Sequence, residues 1–186
     1  MEPGPPESPE GVSFLTALLV RYPEIGSACL CQGGRALRLD FYLTCRLDDE
    51  QVQEFEEHVK LSWDVFFMLQ RVRPEQVVFE RSDARRGVAP WMEDDEDGPL
   101  EVDSIQFVRD LQSITAEEIA LLVGLVREAF AADLALNEEA PGEDPAQQDE
   151  MIHRSLEKVR AMPGEAALTG FRDDMRVLIY ASQESD

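Results

Sequence analysis

The sequence predicts an α+β domain: an antiparallel sheet built from three hairpins with helices packed on it, in the order α-β-β-α-β-β-α-α-β-β. Three observations carry this. A period-2 run brackets a Gly33-Gly34 pair, two helix starts carry capping signatures, and the chain closes on two short apolar runs around Asp173-Asp174.

Val12 to Tyr22 reads as a short amphipathic helix that stops before Pro23. Ile25 to Gln32 and Arg35 to Leu47 read as two strands around Gly33-Gly34, since paired glycines supply the positive φ that tight hairpin turns need. This turn pairs Cys29 with Arg38 and Cys31 with Ala36. In the second strand Leu37, Leu39, Phe41 and Leu43 alternate with Arg38, Asp40, Tyr42 and Thr44, which is one buried face of a strand. Asp48 with Gln51 forms a capping box, and Leu47 with Val52 a hydrophobic staple, for a helix reaching about Val72. Its expected inner stripe is Val52, Phe55, Val59, Phe66 and Leu69.

Gln76 to Arg81 and Leu100 to Leu111 follow as strands. The 82–99 segment between them is a long acidic loop, expected to be disordered because charge and proline leave little to bury. Thr115 and Glu118 cap a third helix that runs to about Leu136. Residues 137–143 are an acidic linker, and Asp144 to Met162 is a fourth helix with Ile152, Leu156 and Val159 inward. Ala167 to Arg172 and Met175 to Ala181 form the closing hairpin. The domain organisation is thus a tail over 1–10, a single domain over 11–181 and a tail over 182–186.

At 186 residues and 44% hydrophobic, the chain has material for one core. The formal charge of −22 is unevenly spread. Residues 1–10, 93–97, 138–150 and 184–186 hold three, five, six and two acids and no basic residue, leaving about −6 for the rest. Such a field opposes nucleic-acid phosphates and anionic membranes, so neither is expected as a partner. Met1 to Glu10 has no basic residue and no apolar stretch of a secretory signal, and three cysteines do not make a disulfide framework. The expected compartment is cytoplasmic.

No phosphate loop, G-x-S-x-G elbow or H-E-x-x-H pattern is present, and no catalytic, cofactor-binding or metal-ligating residue is assigned. Cys29 and Cys31 share one strand face, with Arg38 opposite Cys29 where it would favour the thiolate. They lack the further ligands of a zinc site and read first as packed cysteines. His58 has Glu54 four residues before it. His153 has Asp149, Glu150 and Glu157 at helical spacings, the pattern of surface ion pairs. Arg71, Arg73, Arg81, Arg85 and Arg86 gather basic charge that either holds an anion or is neutralised by nearby acids. On the third helix Leu121 and Leu125 fall in a polar arc with Glu117, Glu118, Arg127 and Glu128. They are covered by the fourth helix, covered by another subunit or left exposed, and are the candidate interface residues.

Leu19-Val20-Arg21-Tyr22-Pro23-Glu24-Ile25, with Phe171-Arg172 and Arg176-Val177-Leu178, resembles an uncharacterised family of hypothetical proteins from Gram-positive bacteria, to which no activity attaches. The α-β-β-α-β-β beginning resembles roadblock-type dimerisation modules in element order, from which the extra helix and closing hairpin depart. The function expected is a non-catalytic interaction or regulatory module, self-associating through the helix that carries Leu121 and Leu125. Two alternatives stand beside it. One is a small enzyme or ligand sensor, which a deep pocket containing Arg38, Asp40 or His58 would favour. The other is a metal or redox protein using Cys29 and Cys31.

Overall fold

The computed structural model describes residues 9–83, 103–135, 144–162, 167–173 and 176–182. The elements are α1 (Pro9–Arg21), β1 (Ser27–Cys31), β2 (Ala36–Tyr42), α2 (Asp49–Gln70), β3 (Val77–Asp83), β4 (Asp103–Asp110), α3 (Ala116–Phe130), α4 (Pro145–Ala161), β5 (Ala167–Asp173) and β6 (Arg176–Ser182). This is the α+β order read from the sequence. The rest of the acidic loop beyond Asp83, the 137–143 linker and most of both tails lie outside the described residues.

The six strands form one antiparallel sheet in the order β3-β4-β2-β1-β5-β6. Sequence neighbours pair within each hairpin, while the β2–β4 and β1–β5 pairings join distant segments. Gln32, Gly33 and Gly34 all have positive φ, at 54°, 63° and 71°, and turn the chain between β1 and β2. The register sets Cys29 against Arg38 and Cys31 against Ala36, as the glycines predict.

Opposed residues of an antiparallel pair share a face, and successive residues alternate. One face therefore carries Ala28, Leu30, Leu37, Leu39, Phe41, Ile105 and Phe107, all buried. Helices pack on this face. Leu15 and Leu19 of α1 lie over Gly170, Phe55 of α2 meets Phe79 and Phe107, and α3 joins through Phe130 against Phe55. Helix α4 packs on α1 and α3, burying Ile152, Leu156 and Val159. The opposite face of the sheet carries Ser27, Cys29, Arg38, Asp40, Tyr42, Gln106 and Thr169.

The helix starts hold as the sequence predicts. Asp48 and Gln51 exchange both bonds of a capping box. Thr115 accepts from the Glu118 backbone N–H at 3.2 Å, but the Glu118 carboxylate turns to Arg109 instead of closing a second box. Helix α3 ends at Phe130, short of the expected Leu136. There the chain turns, and Leu134 bridges to Leu43 at the end of β2.

Candidate functional site

The two candidate interface leucines find their cover inside the chain. Leu125 is 7% exposed and Leu121 is half-buried against the core, so neither is the solvent-facing apolar residue that the wheel suggests. Helix α4 lies along Ala120, Val123 and Gly124. Leu125 sits on the other flank of α3, the side turned to α2, the second helix that α3 touches. The wheel treats α3 as packed on one side, whereas it is wedged between two helices.

An exposed apolar surface lies instead on α2. Its buried stripe is Phe55, Val59 and Trp63, with Phe67 stacked on Trp63 at 6.2 Å. The bulky Trp63 rotates this stripe relative to the one the sequence suggests. Leu69, expected inward, is 72% exposed, and Phe66 is half-buried. Leu69 joins Leu61 at 64%, Val65 at 45% and Met68 at 70% exposure. Their spacing places them within an arc of about 100° on one side of the helix. Of the eight large hydrophobic residues that stand exposed among the described residues, four fall on this arc, so it is a patch and not scatter. Glu54, Glu57 and His58 precede the patch on the helix, and Arg71 at the helix cap and Arg73 beyond it follow in the chain, all exposed. Arg71 adopts a left-handed conformation (φ 57°) that ends the helix. Val77, on the edge strand that comes next, is 38% exposed.

The arginine cluster is divided. Arg81 donates to Asp103 and to the Leu47 carbonyl and reaches Asp49 at 3.0 Å, tying β3 to β4 and the start of α2. Arg85 and Arg86 lie outside the described residues. The histidines are separate too: His58 is exposed on α2, while His153 Nε2 lies 3.1 Å from Glu117 Oε1 on α3 and not beside its helical neighbours. Asp149 instead takes Arg21 at 2.7 Å, and Glu150 takes Arg154 at 2.8 Å. With Arg127–Glu24, the Arg21 and His153 pairs staple α1, α3 and α4 around a cleft of about 300 Å³. A second cleft of about 250 Å³ lies between α1 and α4. Neither is lined by Arg38, Asp40 or His58.

On the side of β1 turned away from the described helices the cysteines sit in a polar network. Asp40 accepts from Ser27 at 2.6 Å and from Gln106 at 2.6 Å, and Tyr42 donates to Ser27 at 3.3 Å. Arg38 Nε stands 3.3 Å from Asp40 Oδ2. Thr169 donates its hydroxyl to Cys29 Sγ at 3.3 Å. A hydrogen bond from Cys31, opposed by burial, acts with that of Thr169 and the Arg38 charge to bring the Cys29 thiol down to about 6. All three cysteines are free thiols.

No family model, curated protein or solved structure matches this chain. Its function must be read from these surfaces. Among the described residues no cluster of three or more metal-ligating side chains forms, and no helix is long and apolar enough to cross a membrane.

Proposed function

We propose that the chain is a non-catalytic interaction module that self-associates through α2. The observation that carries this reading is the arc of Leu61, Val65, Met68 and Leu69, four large apolar side chains at roughly half exposure or more on one helix. The occupant that fits is a second copy. If two α2 helices pair antiparallel about an axis at Val65, Leu61 of one copy meets Leu69 of the other. The apolar patch then faces itself, and since acids precede it and arginines follow it in the chain, antiparallel pairing brings unlike charge to each end.

Each side chain is worth about 1.5–3 kcal/mol when fully buried, so the patch offers roughly 4–7 kcal/mol per copy and about twice that for the pair. Association costs about 4–15 kcal/mol. Gain and cost are of similar size, so the dimer is weak, and protein concentrations from roughly micromolar to millimolar are where it should be sought.

Sedimentation velocity across that range should show a concentration-dependent dimer. Val65→Glu should give a monomer with an unchanged melting temperature, since a half-exposed surface position contributes little to folding. Glu57→Arg should weaken the dimer by placing positive charge at both ends of the patch. A wild-type monomer at all concentrations refutes the reading, and a dimer that Val65→Glu leaves intact moves it to another face.

A further inference from the structure

The cleft of about 300 Å³ enclosed by α1, α3 and α4 takes no residue from α2, so it stands apart from the self-association surface. Its walls carry charge of both signs over an apolar floor. From this arrangement we propose that the cleft binds a free α-amino acid with an apolar side chain, its carboxylate held by Arg21 and Arg127 and its ammonium by Asp149.

The floor comes chiefly from α3. Ala116, Ala120 and Gly124 follow one another at a helical spacing of four, with Val123 and Ile152 beside them. Gly124 separates a kept opening from a packing gap. It lies in the middle of α3, where glycine is the poorest helix former after proline. A close neighbour would explain it, yet a Cβ at Gly124 would meet nothing within 4 Å. Packing within the chain does not require this glycine, and its effect is to hold the floor open.

The charges fit a zwitterion. Arg21 and Asp149 pair at 2.7 Å through Nε and one carboxylate oxygen. Among the described residues, both terminal nitrogens of Arg21 and the second oxygen of Asp149 have no further hydrogen bond. The Tyr22 ring, with its centroid 5.0 Å from the guanidinium carbon, keeps Arg21 in place. Arg127 is drawn to the same end by Glu24, which is 4% exposed and does not line the cleft. Glu117, at the other end, is engaged by His153 at 3.1 Å. The walls thus offer two guanidiniums and two carboxylates. A simple anion or a simple cation meets as much like charge as unlike. A ligand with both signs on one carbon matches the adjacent Arg21–Asp149 pair. The volume, at the small end of ligand sites, suits an amino acid. The polar pairs hold the three helices together, so the site exists before the ligand arrives.

The test titrates the full chain with L-phenylalanine and L-leucine, from roughly micromolar to millimolar, and follows backbone amide shifts by NMR. Saturable shifts are expected around Ala120, Gly124 and Asp149. 3-Phenylpropionate lacks the ammonium and phenylalanine amide lacks the carboxylate, and each should bind about tenfold more weakly for the loss of a charge-assisted hydrogen bond. Gly124→Leu should abolish binding without lowering the melting temperature, because leucine fills the open floor and favours the helix. Asp149→Asn keeps an acceptor for Arg21 and should bind L-phenylalanine no better than 3-phenylpropionate. Val65→Glu should bind as the wild type does, so a failure of the α2 reading leaves this test intact. No saturable binding by the wild type overturns the proposal, and so does binding that Gly124→Leu leaves unchanged. Equal binding of phenylalanine amide would point to a peptide N-terminus, and equal binding of 3-phenylpropionate to any organic anion. Either result overturns the free amino acid.

Discussion

Replacing Glu118 with alanine is expected to cost about 3–5 kcal/mol, enough to lower the melting temperature by roughly 10 °C. Glu118 is fully buried and Arg109 is 1% exposed. Arg109 grips both carboxylate oxygens, Nε to Oε1 at 2.5 Å and a terminal nitrogen to Oε2 at 2.9 Å. It also donates to Asp110, to the Gln76 carbonyl at 2.8 Å and to Ser113 at 3.2 Å, and its guanidinium lies 5.2 Å from the Phe67 ring centroid. The pair thus joins the start of α3 to the end of β4 and the underside of α2. Without Glu118 the guanidinium stays buried with only Asp110 to balance it, and an uncompensated interior charge is what makes such losses large. Glu118→Gln keeps one acceptor and should lose less. Arg109→Met combined with Glu118→Met should recover much of the loss, because two apolar groups need no desolvation. Urea titrations of the four proteins measure this. A loss below about 1 kcal/mol for Glu118→Ala would show that Asp110 alone suffices for Arg109.

Glu118 also marks where sequence reasoning runs short. Thr115 and Glu118 have the spacing of a capping box, and half of the box forms. The carboxylate goes elsewhere because a buried arginine lies nine residues earlier on a strand, a contact that helical spacing does not encode. The same division runs through the fold. Hairpins and helix starts are legible because turn glycines, Asp48 and Asp144 act within a few residues of themselves. The order of the hairpins in the sheet is not. No short turn joins β2 to β4 or β1 to β5, so nothing local sets their register.

The candidate surfaces follow suit. Arg38 opposite Cys29 can be read from the Gly33-Gly34 turn, but Thr169 arrives through the distant β1–β5 pairing. Leu121 and Leu125 look exposed on an isolated wheel because the wheel cannot know that α2 and α4 flank α3 on both sides. The apolar arc of α2 was masked by the opposite error. Leu69 falls near the edge of the expected inner stripe, and only the insertion of Trp63 against Phe107 shows which way the helix is turned.

Phe107 is where that orientation is fixed, and Phe107→Ala should be the most damaging apolar truncation in the sheet, at about 3–5 kcal/mol. It is 1% exposed on β4, one strand in from the β3 edge. Four rings surround it: Phe41 at 5.7 Å, Phe55 at 6.5 Å, Trp63 at 5.7 Å and Phe79 at 5.4 Å. Two of these belong to α2 and two to the sheet, so the side chain is the peg on which α2 seats. Its loss leaves a cavity that neighbouring strands, fixed by their hydrogen bonds, cannot close. Phe79 shares the cluster but stands half-buried on the edge strand, and Phe79→Ala should lose clearly less. Phe107→Leu should fall between them, since it fills most of the space. Trp63 gives a second readout: in native Phe107→Ala its emission should shift to the red as the indole loses its edge-on neighbour and water gains access. Equal losses for Phe107→Ala and Phe79→Ala, with no change in Trp63 emission, would mean that α2 is seated by its other contacts, chiefly Phe55 against Phe130 at 4.8 Å.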